Sequence, residues 1–232
     1  MDRSLKPLDV VYGSSLGVDR QRVLRNTYAL LALSMVPTIL GSWLGVSMGF
    51  SFLAGSPLIG LVAFLGIAFA FFFGIEKYKN SGVGVLLLLG FTFFMGLMLS
   101  RLLGVALRFS NGPQLISLAF GGTGLVFVSM AAWAQATKRD VSSMGKWLMV
   151  GAVVLMVAAV ANIWLQLPAL HLAISAMAVL IFSAFIMYDL KRIIDGGETN
   201  YVTATLSIYL NVYNVFSSLL QLLMAFAGGD RE

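Results

Sequence analysis

The chain has 232 residues, of which 59% are hydrophobic and only 11% charged, with a formal net charge of +5 and a mean hydropathy of +0.91. Soluble domains carry about 25% charged residues, so a water-soluble domain is excluded. Cysteine is absent and His171 is the only histidine, which excludes disulfides, thiol catalysis and any cysteine or multi-histidine metal site.

The apolar runs are continuous and near the length a helix needs to cross a bilayer, about 20 residues. Barrel strands would be about half as long and would alternate. The composition therefore predicts an all-α, polytopic integral membrane protein. The basic residues form no block, so the charge is not read as nucleic-acid binding.

Residues 1–26 are polar and carry Arg3, Lys6, Arg20, Arg22 and Arg25 against Asp2, Asp9 and Asp19. They are too long and mixed for a signal-peptide n-region and read as a retained N-terminal tail. Glycine and serine in VYGSSLGVD suggest a flexible segment within it. Fully extended, the tail would reach about 85–90 Å.

Seven spans follow within 27–232, at about 27–50, 57–75, 82–107, 114–136, 144–165, 170–190 and 201–227. The connection SFLAGSP after the first span and QLPAL after the fifth are uncharged. Bases cluster in the tail and after spans two, four and six, whereas the other side holds Arg108, with Arg101 just inside span three. The positive-inside rule then places the N-terminus in the cytoplasm, and seven crossings place the C-terminus outside. Span seven carries enough polar residues that a re-entrant or interfacial course is the alternative.

Gly41, Gly45 and Gly49 form a GxxxGxxxG run in span one, a spacing that lets two helix backbones approach closely. Packing within the bundle is the expectation, with dimerisation as the alternative. Gly121, Gly122 and Gly124 in span four are read the same way. No nucleophile–histidine–acid set converges, and HExxH and phosphate-loop motifs are absent. No catalytic residue, metal site or cofactor is expected.

The last apolar run is crossed by a polar stripe: Asn200, Thr203, Ser207, Asn211, Asn214, Ser218 and Gln221. Steps of three and four residues put all seven on one helical face. Just before that run, Asp189 is the only carboxylate close to hydrocarbon. It could mark the membrane boundary and pair loosely with Lys191, Arg192 or water. Alternatively it faces the bundle from below the surface, where a buried carboxylate is a proton or cation site by default.

The stretch VANIWLQLPALHLAISAM, the turn GGETNY at 196–201 and the run SIYLNVYNVF at 207–216 closely resemble the Bax inhibitor/YccA family of membrane proteins. VLRNTY at 23–28, GGTGLVF at 121–127 and TKRDVSSMG at 137–145 extend the resemblance along the whole chain. It implies seven helices with the seventh central in a bundle of the other six. It also implies two activities. Some members of the family are pH-sensitive calcium leaks in which two aspartates share a proton; their positions match Asp189 and Asn211 here. Asparagine cannot titrate, so the shared-proton pair is lost. The resemblance thereby leaves Asp189, Asn211 and Asn214 as a reduced pH or cation site, with weak calcium or proton interaction. The stripe Ser207, Asn211, Asn214, Ser218 and Gln221 is otherwise expected to be structural, holding the seventh helix to its neighbours.

The other branch consists of bacterial inner-membrane proteins that bind the FtsH AAA protease, with its HflK/HflC partners, and moderate degradation of membrane proteins. That branch implies no enzyme activity, and it gives the cytoplasmic tail a role as the segment the protease grips.

Overall fold

Prolines stand at or next to the start of four of the seven helices, where a missing N–H costs nothing. The computed structural model describes residues 7–50 and 57–229. It contains α1 (Pro7–Ser47), α2 (Pro57–Tyr78), α3 (Gly82–Ala106), α4 (Gly112–Ala136), α5 (Met144–Leu165), α6 (Pro168–Asp195) and α7 (Tyr201–Gly229). All seven are long and apolar enough to cross a membrane, and no strand occurs among the described residues. Most of the uncharged connection after span one, at 51–56, the first six residues and the last three lie outside the described residues.

The predicted spans match these helices to within a few residues, except at the start of α1. There the expected flexible segment VYGSSLGVD is helical, because α1 runs unbroken from Pro7. No proline interrupts the chain between Pro7 and Pro37, and an isolated glycine costs a helix only about 1 kcal/mol. At about 1.5 Å per residue, 7–26 therefore measure about 30 Å, far short of their extended reach.

Residues in the left-handed region close helix ends. Gln166 follows α5 with φ 52°, and Gly196 follows α6 with φ 83°. The loop between α4 and α5 is closed by Ser142, whose amide and hydroxyl both donate to Asp140 Oδ1, at 2.8 and 2.5 Å. The Ser142 hydroxyl, and then its amide, hold the Asp140 carboxyl below the usual carboxylate range.

Helix α7 is the hub. It packs against α1, α2, α3, α4 and α6, whereas α5 joins the bundle through α6. Glycines permit that last approach: a Cβ on Gly151 would come within 2.9 Å of Ile181, and one on Gly145 would strike the ring of Tyr188. Helix α5 itself has no buried residue.

The closest crossing is that of α1 with α3, and small residues make it. A Cβ on Gly41 would run into the carbonyl of Phe93, one on Gly45 into the hydroxymethyl of Ser100, and one on Gly96 into the carbonyl of Thr38. The GxxxG face of α1 is thus used inside the bundle. Gly49 has a different part, closing α1 with φ 61°, and a Cβ added there would meet none of the described residues within 4 Å. The parallel reading of span four is corrected: a Cβ added to Gly121 or Gly124 would have nothing within 4 Å, and one on Gly122 would meet only Leu219, at 3.4 Å.

A hydroxyl cluster fixes α7 to this pair. Tyr209 Oη lies 2.8 Å from Thr38 Oγ1 on α1 and donates at 3.4 Å to the Thr92 carbonyl on α3. Thr38 also donates to its own helix at Ser34. The four tryptophans, Trp43, Trp133, Trp147 and Trp164, are all exposed on the outer surface, as residues that face lipid or its interface are.

Candidate functional site

Asp189 sits on α6 six residues before its end, about 9 Å along the axis, and is only 9% exposed. Of the two readings left open, the structure has the one in which it faces the bundle. Asn211 Nδ2 on α7 donates to Asp189 Oδ2 at 2.8 Å. Neither nearby base pairs with it. Lys191 reaches Asp195 at 2.9 Å, and Arg192 reaches Glu198 at 3.8 Å while lying over the Tyr188 ring.

The rest of the stripe divides. Gln221 Oε1 accepts from Ser175 Oγ on α6, at 3.4 Å, so α6 and α7 are laced at two levels. Asn214 does not join Asp189, because its amide donates back to the Leu210 carbonyl in its own helix at 2.8 Å. Ser218 is buried, and Ser207 is exposed. Asn200 starts α7 as its cap: Oδ1 accepts from the amides of Val202 and Thr203, the usual work of an asparagine at that position. Its Nδ2 also donates to Lys79 O and Asn80 Oδ1 in the α2–α3 turn.

One participant is not apparent in the sequence. The guanidinium of Arg20, from the part of α1 read as a tail, lies against Gly196. A Cβ there would be 2.7 Å from Arg20 Nε, and the positive φ already disfavours a side chain. Cationic side chains are favoured at helix C-termini, which is where Arg20 rests on α6. The only sequence signal is an arginine just ahead of VLRNTY.

Chemically, the site offers one ionisable group, one amide and no nucleophile. The described residues contain no group of three or more His, Cys, Asp or Glu that could hold a metal ion. A carboxylate held by an amide donor can exchange a proton or attract a cation weakly. It cannot share a proton as two acids do.

Comparison with known proteins bears on the same stretch. The family model described as "Inhibitor of apoptosis-promoting Bax1" matches residues 20–228. An uncharacterized protein of Neisseria meningitidis serogroup A is 41% identical over 215 residues, covering 92% of this chain and 95% of the relative. "Modulator of FtsH protease YccA" of Escherichia coli K12 is 41% identical over 209 residues, covering 90% of this chain and 92% of the relative. The protein of Escherichia coli O6:H1 named "Inner membrane protein YccA" matches to the same extent. With seven membrane-length helices and a match along nearly its whole length, the chain belongs to the Bax inhibitor family.

Proposed function

We propose that this chain is a bacterial inner-membrane modulator of FtsH-type proteolysis. It binds the membrane-anchored protease, together with HflK/HflC, and moderates degradation of other membrane proteins. The observation that carries this reading is the 41% identity, over nearly the full length of both chains, to a protein named for modulating FtsH. Absence of a nucleophile–base arrangement in the sequence fits a binding role rather than an enzyme. The N-terminal segment 1–26 lies in the cytoplasm in this reading, where an AAA protease can grip it, and the seven-helix body 27–232 resists extraction. Bases on the tail and on alternate connections support that polarity, which puts the C-terminus in the periplasm.

Deleting residues 2–18 tests the proposal while leaving Arg20 on Gly196. The truncated protein should elute from gel filtration like the full chain but no longer slow FtsH-dependent turnover of a membrane substrate. Continued slowing would refute the tail as the point of engagement.

A second reading rests on Asp189. Its burial against Asn211 gives a pH-linked cation leak one titratable group inside the bundle, with Asn214 one turn further along α7. Because only one group there can titrate, the modulator reading predicts no pH-dependent calcium flux in proteoliposomes. A flux that appears with pH and vanishes in Asp189→Asn would establish the leak instead.

A further inference from the structure

We infer that a groove between α1 and α4 is a binding site for one acyl chain of a membrane lipid. Both helices pack on α7, but they do not run along each other. Between them lies a cavity of about 780 Å³ floored by Tyr209, Val212, Tyr213 and Phe216 of α7. On α1 it extends from Tyr28 to Ser42, about 21 Å by helix rise. One end is closed by the Tyr28 ring, set edge-on against Phe127 with centroids 6.0 Å apart. The side is open: Ile39 and Phe120 at the rim are more than half exposed, and Gly124 has nothing within 4 Å of an added Cβ.

The wall selects an apolar occupant. Its serine and threonine hydroxyls are already engaged with backbone carbonyls of their own helices: Thr38 with Ser34, Ser42 with Ile39, Ser117 with Pro113 and Thr123 with Ala119, and the Tyr209 hydroxyl is held between Thr38 and the Thr92 carbonyl. Side chains bonded in this way leave few sites for an ion or headgroup. At the depth of these helices the surrounding solvent is hydrocarbon, not water.

Size fits such an occupant. The observed volume lies in the range of sites for small ligands, about 300–1,000 Å³. One leaflet of hydrocarbon is about 15 Å deep, half of the bilayer core, so a single chain lies along the groove at full length.

The test uses the full chain in nanodiscs made with a phospholipid carrying a diazirine midway along one acyl chain. After irradiation, peptide mapping should find label on Val212, Tyr213 and Phe216 at the back of the groove, as well as on outer faces. Gly124→Phe and Ala32→Phe, which fill the groove from opposite walls, should each reduce the α7 label several-fold. Gly121→Phe, in open space outside the groove, should leave it unchanged. Should one filling variant fail gel filtration, the other still decides. Label confined to outer faces in the unaltered protein, or α7 label undiminished in a folded filling variant, overturns the assignment.

Discussion

A valine at position 96 should separate α1 from α3 and cost the bundle most of its stability. The added Cβ would meet the Thr38 carbonyl, with its carbon at 2.9 Å and the Ser42 amide nitrogen at 3.0 Å. These are backbone atoms of a membrane-spanning helix, which cannot swing aside as a side-chain tip can. Overpacking a core typically costs about 1–3 kcal/mol, and relief here would require moving a whole helix. That movement would also draw Thr38 away from Tyr209 and pull the Thr92 carbonyl from the Tyr209 hydroxyl that donates to it. Each such buried hydrogen bond contributes about 1 kcal/mol. A loss of about 4 kcal/mol corresponds to a fall in melting temperature of about 10 °C for a chain of this size. Gly121→Val adds the same atoms in open space and should melt within a degree or two of the parent. Thermal unfolding of the two variants in detergent checks the α1–α3 crossing, and equal melting temperatures would contradict it.

The second large effect should come from Asn211→Leu. It removes the donor to Asp189 Oδ2 and puts a hydrocarbon side chain against a buried carboxyl. Leaving a buried polar group unsatisfied costs about 1–3 kcal/mol, and more when it is charged. Asp189→Leu alone should cost less, because the amide left behind is neutral. The double replacement should recover much of the loss, since a well-packed apolar pair is often as good as a buried polar one. The cycle should therefore give a coupling of about 1–3 kcal/mol in melting experiments at neutral pH. Strictly additive effects would show that the two side chains do not depend on one another.

The helices were legible because hydrocarbon length and apolar composition leave few other solutions. The polar spacing marked one face of α7, though not which helix that face meets. Which neighbour a small-residue face would meet was not legible. Gly41 and Gly124 carry the same local signal, yet one lies on a backbone carbonyl and the other faces open space. Only the placement of third helices separates them. The stripe was over-read for a related reason. At 3.6 residues per turn Ser207 lies between Asn211 and Gln221 around the helix, yet those two meet α6 and Ser207 is exposed, so the level along the axis, which no periodicity shows, decides what each position meets. Arg20 was missed because its partner, the turn at Gly196, lies near the other end of the chain, which no local pattern announces.

That α7 is the hub has a consequence for how the protein is made. A ribosome delivers the chain from its N-terminus, so the helix on which five others pack is the last of the seven to enter the membrane. It is also the least apolar of them, and hence the poorest at partitioning into lipid by itself. The close α1–α3 pair can assemble early, since its glycine contacts need no other helix. The slot for α7 must then wait, with the carboxyl of Asp189 and the carbonyl of Thr92 facing it, until the final segment arrives. Insertion of α7 is thereby driven by the helices already present, and it closes the bundle.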